Sequence, residues 1–256
     1  MAAFRHDARD HRGALRDRLH PVHAPGGPRL TDLGDAPGEL RPVCGPGCAC
    51  AVGNEFGERQ ARRETARYRR VGPDTTTSWL IEGLRGGPGG DVAGLTVLDI
   101  GAGIGAVHLQ LLAAGAAAAT DVDGSPAYVA AAQVEAQRAG LADRMRYFGG
   151  DFVELASEIG PADLVALDRV VCCYPDMRAL VGLSATRALR RYGLVYPRDT
   201  WWIRAGGATL NAMLRLVRRR MRAYVHRSAD IEAILAAEGF VRRFHRQQIF
   251  WQVAVF

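Results

Sequence analysis

The chain has 256 residues, 48% of them apolar and 23% charged, with a formal net charge of +6. That is enough chain for one α/β domain with a full core and an extension, and the composition excludes a disordered or fibrous protein. No run of 18 apolar residues occurs, which excludes a membrane-spanning helix.

All 33 basic residues are arginine, beside 30 glycines and an alanine-rich texture. This is the signature of a GC-rich genome, so the number of arginines is no evidence for nucleic acid; their placement matters more. The first twenty residues, MAAFRHDARDHRGALRDRLH, lack an apolar signal core, and the five cysteines form no secreted framework. A cytoplasmic location is the expectation.

Residues 1 to 53 are expected to form an irregular or disordered extension, because HAPGGPRLTDLGDAPGELRP has no sustained apolar period. Cys44, Cys48 and Cys50 lie there as C-x-x-x-C-x-C. Zinc would need a fourth ligand, and no histidine follows at ligand spacing, so no metal is assigned. Residues 54 to 256 are expected to form the main domain, with a helical lid over 54 to 90. Asn54 caps its first helix, and Trp79, Leu80, Ile81 and Leu84 mark a second.

Strands then alternate with helices: a strand near 95 to 100 and helix AVHLQLLAAG, a strand near 117 to 122 and helix PAYVAAAQVEAQRAG, a strand over 145 to 148 and helix FVELASEI. ADLVALDRVVC is a fourth strand, DMRALVGLSATRALRR a helix, and GLVYPR a fifth strand. Such alternation implies a parallel sheet with helices on both faces. A helical insert follows over 205 to 226, centred on an amphipathic helix at about 207 to 223. Leu210, Met213, Leu214, Val217 and Met221 lie on one face of it, and Arg215, Arg218, Arg219 and Arg222 on the other. ADIEAILAAEGF is a last helix, and RRFHRQ with QIFWQVAVF an antiparallel hairpin. The fold class is α/β: a Rossmann-like, doubly wound, seven-stranded and mostly parallel sheet.

The stretch VLDIGAGIG, residues 97 to 105, carries the chemistry. Gly101, Gly103 and Ala106 fit a dinucleotide loop, with Asp123 about twenty residues on. Gly101, Gly103 and Gly105 equally fit the G-x-G-x-G loop of S-adenosylmethionine enzymes. Asp99 separates the two. A pyrophosphate at this helix start gains nothing from an adjacent carboxylate, whereas the ammonium of S-adenosylmethionine does.

At this point the chain resembles the class I S-adenosylmethionine-dependent methyltransferases. VLDIGAGIG is similar to their first motif, bringing Asp99, Gly101, Ala102, Gly103 and Gly105 to the cofactor. DVDGSP is similar to the second: Asp123 would accept from the ribose hydroxyls and Ser125 would turn the chain into a helix, with Asp121 as the alternative ribose ligand. GGDF is similar to the adenine motif, through Gly150, Asp151 and Phe152, and ADLVALDRVV to the strand that floors the site and ends at Asp168. The resemblance covers roughly residues 55 to 256 and implies an enzyme with S-adenosylmethionine as cofactor.

A second resemblance, over residues 194 to 240, is to the magnesium-protoporphyrin O-methyltransferases, which esterify a porphyrin propionate. VYPRDTWW, an arginine-rich helix and RAYVHRSADIEAILAAEGF carry it. The chain departs at Cys173, where that family tends to have a histidine before Tyr-Pro.

On the acceptor side, LDRVVCCYPD places Asp168, Arg169, Cys172, Cys173 and Tyr174 near the methyl group. A nucleic-acid amino-methyltransferase would show Asp/Asn-Pro-Pro-aromatic here. His226, Tyr68 and Cys173 are the catalytic candidates. His226 is either a base or a packed histidine, Tyr68 a lid or a core residue, and Cys173 a substrate contact or strand-end packing. Arg62, Arg63, Arg67, Arg69 and Arg70 on the lid, and Arg198 and Arg204 around Trp201 and Trp202, point to an anionic, fairly apolar small-molecule acceptor, with the tryptophans as a flat wall; the second resemblance implies that such an acceptor is porphyrin-like. The Arg/Leu helix also suits peripheral membrane contact. The competing readings are an RNA methyltransferase, disfavoured because no basic stripe is interleaved with aromatics, a nicotinamide-dependent oxidoreductase, and a cofactor-binding protein without turnover.

Overall fold

A computed structural model describes residues 57–256 apart from Arg220. The extension, its three cysteines and the Asn54 cap lie outside the described residues. Two helices come first, α1 (Glu58–Val71) and α2 (Thr75–Arg85). Helix α2 starts where it does because the Asp74 carboxylate accepts from the Thr77 amide at 3.0 Å, a side-chain N-cap.

The alternating unit follows: β1 (Thr96–Ile100), α3 (Ala106–Ala113), β2 (Ala118–Asp123), α4 (Pro126–Arg138), β3 (Met145–Gly149), α5 (Phe152–Leu155), β4 (Ala162–Asp168), α6 (Met177–Ala185) and β5 (Ala188–Pro197). Helix α7 (Trp201–Leu216) and α8 (Ser228–Ala237) lead to the hairpin of β6 (Phe244–Gln247) and β7 (Trp251–Val255). The strands form one sheet in the order β3-β2-β1-β4-β5-β7-β6. Six run in one direction and β7 alone runs against them. The expected seven-stranded, doubly wound sheet with its antiparallel hairpin is therefore the observed one.

The central strands are apolar on both faces because both are covered. On one face Leu98, Ile100, Val165, Leu167 and Leu194 pack with Leu180, Val181, Ile231 and Leu235 of α6 and α8. On the other, Val97, Leu164, Val195 and Val253 pack with Leu80, Leu84, Val107 and Leu111 of α2 and α3. A third, small cluster of Ala61, Ile104 and Tyr128 seats α1 over the glycine loop and α4. Strand order reverses between β1 and β4, which opens a crevice at their carboxyl ends.

Three elements differ from expectation. Of FVELASEI only the first turn is helical. The fifth strand begins earlier, at Ala188. The insert helix runs from Trp201 to Leu216 rather than from about 207 to 223. It carries Gly206 and Gly207 in its interior, where Val225 packs against Gly207. It stops at Val217, and Arg218 takes a left-handed φ of 55°. Residues 221–227 are not helix; the Ala223 amide donates to the Asn211 side chain of α7 at 2.8 Å. Among the described residues no helix is long and apolar enough to cross a membrane.

Candidate active site

The crevice is a cleft of about 650 Å³ at the carboxyl ends of β1, β2 and β4, roofed by α1. Gly101, Gly103 and Gly105 all adopt left-handed φ, at 62°, 59° and 83°. The first and third are closed by protein: a Cβ at Gly101 would meet Val170 at 2.5 Å and one at Gly105 the His108 ring at 2.4 Å. A Cβ at Gly103 would meet nothing within 4 Å. The space over Gly103 belongs to the cleft, and backbone is presented there without a side chain.

Asp123 lines this cleft beside the loop, with one carboxylate oxygen accepting from the Gly103 amide at 2.8 Å and the other from the Ser125 amide at 2.7 Å. Burial pushes its carboxyl up to about 6, against those two amides. Asp121 is fully buried and does not reach the cleft, so the alternative that it faces a ribose is removed. Neither of its oxygens has a partner among the described residues, and burial, with Asp123 and Asp99 nearby, raises its carboxyl well above the usual range.

Asp99 is also wholly buried. It accepts from the His108 ring Nδ1 at 3.0 Å and from the His108 amide at 3.3 Å. Its carboxylate fixes the start of α3 from beneath rather than standing open to the cleft. Ser125 sits behind the surface as the N-cap of α4, accepting from the Tyr128 amide at 3.4 Å. Gly150, Asp151 and Phe152 line the cleft. Asp151 caps α5 through the Val153 amide at 2.9 Å and accepts from the Tyr174 hydroxyl at 2.9 Å. Burial and the Asp151 charge raise the Tyr174 phenol.

Asp168 closes the floor inside a network that sequence reasoning missed. It accepts from the Thr77 hydroxyl at 2.5 Å and from Arg169 Nε at 3.0 Å, while Arg169 Nη1 reaches Asp74 at 2.7 Å. Arg169 holds a left-handed φ of 62°, a strained state for an arginine. Burial opposes its charge, but Asp168 and Asp74 outweigh burial and raise its pKa. Burial raises the Asp168 carboxyl despite Arg169 and Thr77. The network joins the start of α2 to the end of β4.

Of the catalytic candidates, Tyr68 and Cys173 line the cleft. The Tyr68 hydroxyl accepts from Gln110 Nε2 at 3.0 Å, which leaves its own proton free to donate. His226 is not among the lining residues. Its Nε2 lies 3.1 Å from the Val171 carbonyl and 3.3 Å from that of Tyr174, so this nitrogen must donate and cannot act as a base. Burial lowers its pKa, and its ring stacks on Tyr224. His226 clamps the Val171–Cys173 turn.

The arginines are similarly redistributed. On α1 only Arg67 lines the cleft. Arg69 pairs with buried Glu135 of α4, and Arg62 with Glu58. Trp201 and Trp202 do not form a wall of the cleft. They sit on α7, 80% and 40% exposed, because that helix starts at Trp201 and turns them outward.

A family model described as a methyltransferase domain matches residues 97–193. The ribosomal protein L11 methyltransferase of Edwardsiella ictaluri is 32% identical over 125 residues, covering 46% of this chain and 42% of that protein. The chain thus spans about two fifths of the length of the curated relatives it matches. The crystal structure of magnesium protoporphyrin IX methyltransferase from Synechocystis with bound SAH is similar over 80% of this chain and 96% of that one, with a TM-score of 0.60 and 24% identity. An O-methyltransferase family 2 protein from Planctomyces limnophilus, in complex with apigenin, gives a TM-score of 0.56 at 16% identity, over 80% of this chain and 63% of that one. At these identities the structural matches establish the fold.

Proposed function

We propose that the protein is a class I methyltransferase that uses S-adenosylmethionine and transfers a methyl group to an oxygen of a small anionic or aromatic acceptor in the cytoplasm; the methyltransferase-domain match over residues 97–193 and the shared fold support this reading. The residues fit that cofactor. Gly103 offers open backbone over the cleft, Asp123 has carboxylate lone pairs left for ribose hydroxyls, and Asp151 with Phe152 stands where an adenine edge and face would lie. The bound cofactor supplies an electrophilic methyl on a sulfonium. The chain's part is to hold the acceptor oxygen in line with it, and orientation of this kind is worth on the order of 7–11 kcal/mol. In this reading Asp99 acts at one remove, through His108 and the loop backbone.

The observation that carries the acceptor class is that, among the described residues, the Asp168 carboxylate and the His226 imidazole are both already engaged. Asp168 is engaged by Thr77 and Arg169, and His226 donates to carbonyls elsewhere. An acceptor already ionised at neutral pH, a carboxylate above all, needs no base. Arg67 supplies the counter-charge on the roof and Tyr68 a donor to the acceptor oxygen. The resemblance to the magnesium-protoporphyrin enzymes in the last third of the chain agrees with a porphyrin-like carboxylate. The outward apolar face of α7, flanked by Arg204 and Arg215, would let the protein collect such an acceptor from an anionic membrane surface.

The test is transfer of radiolabelled methyl to aromatic and porphyrin carboxylates, with total RNA and ribosomal protein in parallel. A product whose label is released as methanol in mild alkali is the ester expected. An alkali-stable product would overturn the carboxylate as acceptor, and label in RNA or protein alone would overturn the small-molecule assignment.

A further inference from the structure

The turn Val171–Cys173 carries two adjacent free cysteines whose sulfurs are 3.6 Å apart. That is far outside a disulfide bond of about 2.05 Å. It is an S–H···S contact, close enough for both sulfurs to reach one soft centre between them. The pair is held from several sides. The Cys173 amide donates to Val170 at 2.9 Å and the Tyr224 amide to the Cys172 carbonyl at 2.7 Å, while His226 fastens the carbonyls on either side. Cys172 is buried, Cys173 is half-buried, and both line the cleft.

Among the described residues no group of three His, Cys, Asp or Glu side chains is placed to hold a metal ion. Whatever binds here must be satisfied by two sulfurs and complete its shell from the cleft. Hard cations, which want oxygen ligands, do not meet that condition; thiophilic centres of low coordination number do. We propose that Cys172 and Cys173 form a vicinal dithiol that captures a thiophilic three-coordinate centre, of the kind a trivalent arsenical presents, at the acceptor end of the cleft. The inference does not depend on methyl transfer. The neighbouring thiol and burial raise Cys172, and the Cys172 hydrogen bond lowers Cys173, so Cys173, the less buried of the two, makes the first bond. For an aryl arsine oxide the reaction is a condensation. Two S–H bonds and the As–O bond break, two As–S bonds form, one water leaves and no oxidation state changes.

Phenylarsine oxide is the probe and intact-protein mass the readout. The full chain with C44S/C48S/C50S, which removes the other thiols, should take up one equivalent. The adduct should withstand excess 2-mercaptoethanol and be released by dithiothreitol, as a two-sulfur chelate is. Adding C173S or C172S to that background should weaken uptake at least tenfold. C173S, at the half-buried position, carries the test if C172S fails to fold, with far-ultraviolet circular dichroism as the check. No adduct on C44S/C48S/C50S, or one stripped by the monothiol, would overturn the proposal.

Discussion

The glycine loop between β1 and α3 and the helix α7 after β5 both carry glycine-rich sequence, yet their surroundings determine them to opposite degrees. In the loop, three glycines hold left-handed φ, two of them packed so closely that no Cβ fits, and Asp99 and Asp123 tie down the amides on either side. In α7, sixteen residues bury only Ile203. Leu210, Met213, Leu216 and the two tryptophans face outward. The loop is shaped by what it excludes, whereas α7 keeps an apolar face that nothing within the described residues covers. Positions of the first kind should fail through the fold or the cofactor, and positions of the second kind through a surface.

The largest effects should come from the loop, and two glycines in it should fail differently. Gly105→Ala meets the His108 ring and takes a left-handed φ, which costs of order 1–3 kcal/mol from the backbone alone. A clear fall in melting temperature is expected. Gly103→Ala carries the same backbone cost but meets no side chain, so it should melt closer to the parent than Gly105→Ala, and it should bind S-adenosylmethionine poorly because its Cβ enters the cleft. Equal melting and equal binding losses in both variants would erase the distinction between packed and open glycines.

Asp123→Ala should weaken S-adenosylmethionine binding at least tenfold in calorimetry, in line with hydrogen bonds to a charged group at roughly 1.5–3 kcal/mol each. The pH dependence has a definite sign. Burial raises the Asp123 carboxyl to about 6, so its ionisation costs the empty protein stability as pH rises from the unfolded value through about 6. Ribose hydroxyls need the ionised acceptor, so cofactor affinity should climb over the same window. Affinity independent of pH between 5 and 7 would remove Asp123 from the cofactor.

Legibility in the sequence follows the same division. The sheet could be read because β1 and β4 are rich in apolar, strand-forming residues and each βα junction carries its own turn residues. The places of Asp123 and Asp151 beside the cleft could be read because each stands in a short strand-end motif, DVDGSP and GGDF. The Asp74–Arg169–Asp168–Thr77 network could not, since Thr77 and Asp168 are 91 residues apart; the only local signal is an arginine directly after a strand-end aspartate. The sequence leaves His226 open between a base and a packed histidine because its partners are backbone carbonyls, which leave no trace in residue identity. The start of α7 was misplaced because two glycines in succession look like a boundary, while Val225 packing against Gly207 favours helix through them.

A smaller effect should come from the roof. Arg69 of α1 donates through Nε to Glu135 at 2.8 Å, and the Glu135 side chain is almost fully buried. Arg69→Ala leaves that carboxylate with Arg138 at 3.7 Å as its nearest cation. Helix α1 should then sit less firmly on α4, and cofactor should leave several-fold faster in stopped-flow displacement, with little change in the melting of the sheet. An unchanged dissociation rate would mean that Ala61, Ile104 and Tyr128 hold the roof without the ion pair.

The smallest change in stability should come from the most drastic substitution on α7. Leu210→Glu, Met213→Glu and Leu216→Glu together replace three large apolar side chains, each exposed, the last of them at 84%. Exposed positions away from caps and cores usually move stability by no more than about 0.5 kcal/mol each, so the melting curve should hardly shift. Lipid binding responds to a different quantity, the apolar area that can enter an interface beside Arg204 and Arg215. Co-sedimentation with vesicles containing anionic lipid should therefore be lost in this variant and retained by the parent, more so at low salt. If parent and variant both stay in the supernatant, the outward face of α7 is not a membrane contact. If the variant instead melts well below the parent, the face is already covered within the protein, and the contrast between loop and helix fails at its second term.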